Sequence, residues 1–320
     1  MPHPRFPATH APRPSSRPAL PAPPRLLAIP AALGLTLALA ARAQLPQAVL
    51  NHVFPPGAAP GSTNVVTVQG SDLDEPSGLV FENPRIVAKP KPGAQNAFEI
   101  VVPADVPEGF LDVRFAGRFG ASNPRVFRID RSPSLAATTN TSAAVALHLA
   151  PGAKAWGRVP AAGAAWFSVP ASKGSRVLLR VLAPELDSRL APMIVAFAPD
   201  GREWARVRRS GLIDFTAPSD GPARIQVLDA QFRGGDDFVF QIEHAVGPHV
   251  DMVVPCVVTA GVTNRVTLLG RRLPGGRPST IPGGDGILLE QAQVDVVAPA
   301  AATHGSMPWP VDRLRRAAAS

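Results

Sequence analysis

The chain has 320 residues, 38 of them proline and none tyrosine, with a formal net charge of +8. Its length predicts two or three domains, and so much proline speaks against long helices, because each ring removes a backbone donor and clashes with the preceding turn. Five arginines and no acid fall within residues 1–43, leaving 27 basic against 24 acidic side chains elsewhere; with no basic stripe carrying interleaved aromatics, no nucleic-acid partner is expected.

Residues 1–25 are polar, proline-rich and basic, and residues 26–40 form an apolar run of fifteen broken by Pro30 and Gly34. Ala41-Arg42-Ala43 supplies a small-x-small cleavage pattern. Together these predict a secretory signal peptide cut between Ala43 and Gln44, and fifteen residues fall short of the ~20 that span a bilayer. The expected location is therefore outside the cytoplasm, in the periplasm, on the cell surface or secreted, with no membrane contact once the signal is removed. Cys256 is the sole cysteine, so no internal disulfide is available and the modules must stand on hydrophobic cores. Cys256 itself is expected to be a small buried residue.

Beyond Gln44 the dominant pattern is alternation with period two, the mark of strands with one buried face. Leu111, Val113 and Phe115 fall opposite Asp112, Arg114 and Ala116, and residues 176–182 are apolar on nearly both sides. Turn formers separate these runs, among them Pro55-Pro56-Gly57, Asp200-Gly201 and Gly234-Gly235-Asp236. The fold class expected is all-β, with tandem β-sandwiches.

Residues 53–73 recur without a gap two hundred positions later. Val53, Pro55, Gly61, Thr63, Asn64, Val66, Thr67, Gly70 and Leu73 match Val253, Pro255, Gly261, Thr263, Asn264, Val266, Thr267, Gly270 and Leu273. One module has been used twice, with a different one between. The boundaries expected are 44–131 for the first module, with about seven short strands, 132–246 for the middle one, and 247–300 for a partial second copy. In that copy Gly286-Ile287-Leu288-Leu289-Glu290 aligns with Gly78-Leu79-Val80-Phe81-Glu82, and nothing after Val297 answers the strand around Phe98. Residues 301–320 read as a disordered tail.

The repeated module resembles the IPT/TIG family of immunoglobulin-like domains in Phe54-Pro55-Pro56-Gly57, Gly61-Ser62-Thr63, Gly70-Ser71-Asp72-Leu73 and Val106-Pro107-Glu108-Gly109. The middle module is similar to the bacterial pre-peptidase C-terminal domain, a jelly-roll-like sandwich, in Asp200-Gly201-Arg202-Glu203-Trp204, Phe215-Thr216-Ala217-Pro218 and Arg233-Gly234-Gly235-Asp236-Asp237-Phe238, with Trp166-Phe167 at the family's Trp-Phe core strand. This order of modules resembles large exported planctomycete-type proteins. Members of the second family often bind calcium through carboxylates near the module's entry and before that Trp-Phe pair. Here the corresponding stretches are Thr138-Thr139-Asn140-Thr141, Gly163-Ala164-Ala165 and Arg206-Val207-Arg208-Arg209, so no calcium is expected there.

No cofactor and no catalytic residue are expected. Asp72, Asp74 and Glu75 form the densest acidic group of the first module and read as a solvated loop, since their repeat counterpart begins with Arg272. His244 and His249 lack a zinc pattern and are expected to flank a module junction. Asp236 and Asp237 follow two glycines and are expected to satisfy backbone donors. Trp166 reads as core, Trp156 as a less favoured stacking surface, and Trp204 with Arg206 as the exposed ligand contact. The leading expectation is a non-catalytic exported protein for protein contacts or scaffolding at the cell envelope, whose partner is another envelope or extracellular protein or its own further C-terminal domains. The alternatives are an ancillary fragment of a secreted hydrolase such as a peptidase, and a carbohydrate-binding module.

Overall fold

The computed structural model describes residues 46–298 except 133 and 138; the proposed signal, its cleavage site and the tail lie outside them. Residues 47–298 belong to one compact unit. Nearly every element is a strand. The first stretch holds β1 (Val49–Phe54), β2 (Gly57–Ala58), β3 (Thr63–Ser71), β4 (Gly78–Phe81), β5 (Val87–Pro90), β6 (Ala97–Val101), β7 (Gly109–Gly117), β8 (Gly120–Ala121) and β9 (Arg125–Ile129). The middle holds β10 (Ser134–Ala137), β11 (Leu147–His148), β12 (Lys154–Arg158), β13 (Ala165–Val169), β14 (Arg176–Leu182), β15 (Pro192–Phe197), β16 (Glu203–Arg208), β17 (Leu212–Thr216), β18 (Ala223–Asp229) and β19 (Val239–Ala245). The last holds β20 (His249–Val254), β21 (Thr263–Arg271), β22 (Arg277–Pro282) and β23 (Leu288–Val297).

These strands build tandem β-sandwiches, as the alternation implied. Sheets β1-β3-β6-β5 and β2-β9-β7-β4 enclose a core of Leu50, Val66, Val68, Phe98, Ile100, Val113, Phe115 and Phe127. Nine strands replace the seven expected because the two-residue bridges β2 and β8 carry no periodic signal. Sheets β10-β12-β19-β14-β17 and β11-β13-β18-β15-β16 enclose a larger core around Phe167, Leu179, Ile194, Ile225 and Phe240. In β14, Val177, Leu179 and Val181 point into that core, while Leu178 and Leu182 on the other face are also buried.

The repeat is legible in register. In β1 against β3, Leu50 pairs with Gly70 and a bulge separates Leu50 from His52; in β20 against β21, Val250 pairs with Gly270 and the bulge falls between Val250 and Met252. The bulge explains the repeated glycine, because a Cβ on Gly70 would lie 1.9 Å from the Val49 carbonyl oxygen and one on Gly270 2.1 Å from that of His249. Gly61 and Gly261 adopt φ of 74° and 77°, where a side chain is strained.

One alignment is corrected. Thr63 pairs with Val101 and Val66 with Phe98, just as Thr263 pairs with Val297 and Val266 with Val294. The strand Leu288–Val297 therefore takes the place of β6, not of β4, and residues 294–297 do answer the strand at Phe98. The second copy is a single four-stranded sheet, β20-β21-β23-β22. Among the described residues it has no counterpart of the β2-β9-β7-β4 sheet.

Candidate functional site

Both repeated modules dock on the middle sandwich through buried polar groups, and both use the outer face of the β10-β12-β19-β14-β17 sheet. At the first joint Trp156, Leu182 and Leu186 form a buried cluster against which Phe54 and Val126 pack. Around it the His52 Nδ1–H donates to Asp237 Oδ1 (2.9 Å) and Gln69 donates to Asp236 Oδ2 (2.9 Å). Lys154 Nζ reaches both oxygens of Asp130 (2.8 and 2.7 Å), and Arg128 bridges Asp130 and the fully buried Gln241. Asp236 and Asp237 thus cross to the first sandwich instead of serving local backbone donors, and Trp156 is wedged in the joint instead of offering a stacking face.

The second joint is more strongly charged. Arg271, only 1% exposed, donates to Asp285 Oδ1 and Oδ2 (both 2.7 Å), to Asp214 Oδ2 (3.1 Å) and to Asp251 (3.4 Å). Arg176 clamps Asp214 in a two-pronged contact and reaches Glu290 Oε1 (2.7 Å). Arg272 donates to the carbonyls of Ala245 and Arg176. Burial pushes the Asp214 carboxyl up, but the Arg176 and Arg271 contacts outweigh it and leave the group below the ordinary carboxylate range. Glu290 is lowered in the same way, burial being overcome mainly by Arg176. His244 is buried with Nδ1 facing the Leu149 carbonyl (3.2 Å); His249 opens β20 beside this network.

The His52–Asp237 pair has the geometry of a base and its orienting acid. A nucleophile would have to meet Nε2, yet that nitrogen faces Arg158 Nη2 at 3.4 Å. Burial lowers the His52 pKa below its ordinary value, with Asp237 opposing. A neutral imidazole, proton on Nδ1, meets both contacts. The pair therefore fastens two sandwiches.

The sheet on the far side of the middle sandwich carries a different surface. Trp166, Val195 and Arg206 share one row through Gln226, and Met193 shares another with Leu228 and Arg208. Trp166 stacks on Phe197 (5.8 Å between centroids, 27° between planes) over buried Met193, Val195 and Leu228. Trp166 thus belongs to the outer face, not to the inter-sheet core. Arg206 lies here, paired with Glu203 (2.5 and 3.0 Å). Trp204 does not join it. A bulge between Ala196 and Phe197 in the β15–β16 register turns Trp204 toward the core, where its ring lies 6.1 Å from Phe215 and its Nε1 is buried with no partner among the described residues. Trp204 is therefore half-buried against the core and not the exposed residue expected, while Trp166 and Phe197 form the aromatic pair on this outer face. Periodicity misses this because a bulge reverses which side a residue faces.

Asp72, Asp74 and Glu75 occupy an exposed turn, where Glu75 accepts from Arg118 (3.0 Å). Cys256 is exposed, contrary to expectation, because the second copy presents its entry loop to solvent. Among the described residues no group of three or more potential metal ligands occurs, and no helix is long and apolar enough to cross a membrane.

The fold defines an all-β, multi-sandwich protein with clusters of buried ionic groups at the joints between its modules. No protein-family model matches the chain, and no curated protein does. Among solved structures it is similar to a periplasmic inhibitor of g-type lysozyme from Aeromonas hydrophila (14% identity, covering 35% of this chain and 98% of that one, TM-score 0.25). It is also similar to the pre-peptidase C-terminal domain of a Bacillus anthracis collagenase (10% identity, 36% and 98%, TM-score 0.24). A third is the Bacteroides ovatus SGBP-B from a mixed-linkage glucan utilization locus, in complex with a heptasaccharide (12% identity, 82% and 68%, TM-score 0.23).

Proposed function

We propose that this chain is an exported, non-catalytic β-sandwich protein that serves protein contacts or scaffolding at the cell envelope. In this reading residues 1–43 are a cleaved signal, 44–131 and 247–300 are IPT/TIG-like modules, and 132–246 is a pre-peptidase C-terminal-like module. The observation that carries it is where the buried charge goes: His52–Asp237, Arg128–Asp130–Lys154 and Arg271–Asp214–Asp285 all fasten one sandwich to the next or brace that contact. Groups held this way serve rigidity, and a rigid multi-sandwich body suits presentation of surfaces.

A second reading, carbohydrate binding, is favoured by the Trp166–Phe197 pair with Gln226, Arg206 and Arg208 beside it. Aromatic faces with adjoining hydrogen-bonding groups suit sugar rings. The experiment is co-sedimentation of the purified 44–320 chain with envelope fractions treated with protease or with glycosidases, alongside peptide, ester and glycoside turnover assays. The scaffold reading expects binding that protease abolishes and no turnover. Binding lost only to glycosidase treatment, and lost again in Trp166→Ala, selects the carbohydrate reading; turnover of any substrate contradicts both.

A further inference from the structure

Where the first and middle sandwiches meet, a cleft of about 310 Å³ opens between Phe54, Arg158 and Asp236, with Asn140, Thr141 and Pro160 also lining it. That volume lies at the small end of ligand sites. Arg158 dominates its chemistry. A guanidinium has five N–H donors in a fixed fork, and here its carbon sits 3.9 Å from the Phe54 ring centre, so one flat side is covered. The donors at the edge are poorly served. Nη1 is 3.4 Å from Asp236 Oδ1 and Nη2 is 3.4 Å from His52 Nε2, both at the outer limit of a hydrogen bond. Nε is buried and has no partner among the described residues.

Two arginines of the second joint are treated very differently. Arg271 meets three carboxylates and Arg176 two. Arg158 alone is desolvated without adequate acceptors, and burial lowers its pKa against the opposing charge of Asp236. Asp236 in turn shares its charge with Gln69. Leaving a cationic donor poorly met is costly, and the cleft opens beside this under-served guanidinium. A carboxylate matches a guanidinium fork with two parallel hydrogen bonds. Ala137, Val159 and Ala165, which also line the cleft, suit a small aliphatic group attached to it.

We propose that the cleft between Phe54 and Arg158 is a binding site for a small carboxylate carrying a short apolar group, held by the guanidinium of Arg158. Both peptide chain ends and sugar acids present a carboxylate. Neither Trp166 nor Phe197 lines the cleft, so this site stands or falls separately from the functions proposed above.

The test is titration calorimetry on the purified 44–320 chain with N-acetylalanine, its neutral amide, and glucuronate. Binding of N-acetylalanine or glucuronate at one site per chain is expected, the tighter of the two identifying the source, with the amide weaker by at least about tenfold. Arg158→Lys keeps the charge but loses the fork, and is expected to lose about tenfold or more. Ala161→Phe, at an exposed rim position, leaves Arg158 intact and is expected to block binding, so the proposal remains testable if Arg158→Lys unfolds. No binding by either acid, equal binding of acid and amide, or wild-type affinity in Ala161→Phe would overturn it.

Discussion

Replacing Arg271 by methionine tests how the last sheet is held. The guanidinium is buried beside Asp214, Asp251 and Asp285, and the Asp285 side chain is only 1% exposed. Among the described residues Asp285 takes no other cation: besides Arg271 it accepts only the Ile287 amide (3.2 Å). Arg271→Met strands that carboxylate, and removing one partner of a buried pair costs about 3–5 kcal/mol. Asp214→Asn is the internal control, because Arg271 keeps its two-pronged contact with Asp285; there the charge assistance is lost from one contact of Arg271 and from the two-pronged contact of Arg176, about 1–3 kcal/mol. Urea unfolding at neutral pH gives the magnitudes. Hydrogen exchange of amides in β20 to β23 locates them, since a sheet without its clamp opens below the global unfolding free energy. A loss under about 1 kcal/mol in Arg271→Met, or an equal loss in both variants, would refute the clamp.

Three further outcomes follow from the same joints. Trp156→Ala should cost about 3–5 kcal/mol in thermal or urea unfolding, because the ring fills the contact between Leu182, Leu186 and Phe54. Gly57→Ala should cost about 1–3 kcal/mol, since the added Cβ would stand 2.5 Å from the Arg128 carbonyl and 2.6 Å from the Trp156 ring; wild-type stability would show that the contact yields. In a pH series His52 and the carboxylates act in separate windows. His52 is lowered on folding, so its contribution is complete above its ordinary pKa of 6.5 and is lost as pH falls from there through the lowered value. Asp214 and Glu290, also lowered, contribute fully above the ordinary carboxylate range and are lost only in stronger acid. His52→Asn should shrink the first limb, to which His244 and His249, also lowered by burial, contribute as well, and spare the second, as followed by melting temperature against pH.

Much of the fold was legible because its signals are local. Alternation in residues 109–117 and 176–182 placed strands correctly, and the spacing of Gly61, Gly70 and Leu73 against Gly261, Gly270 and Leu273 revealed a repeat whose glycines answer identical backbone demands. The strand Leu288–Val297 was misaligned because the turn-rich stretch before it hides which neighbour it joins, and register is set by partners distant in sequence. The joints were not legible for the same reason. Nothing near Asp237 in the chain announces His52, 185 residues away, and nothing near Arg271 announces Asp214. Trp204 and Cys256 were misread because a bulge and a loop's exposure depend on how strands meet, not on the residue types alone.

The central claim is that buried charge fuses these sandwiches into one body. Differential scanning calorimetry of the 44–320 chain at neutral pH tests it most directly. The account predicts a single transition with a calorimetric to van't Hoff enthalpy ratio of about one, splitting into two in Arg271→Met; separate transitions already present in the unaltered chain would contradict it.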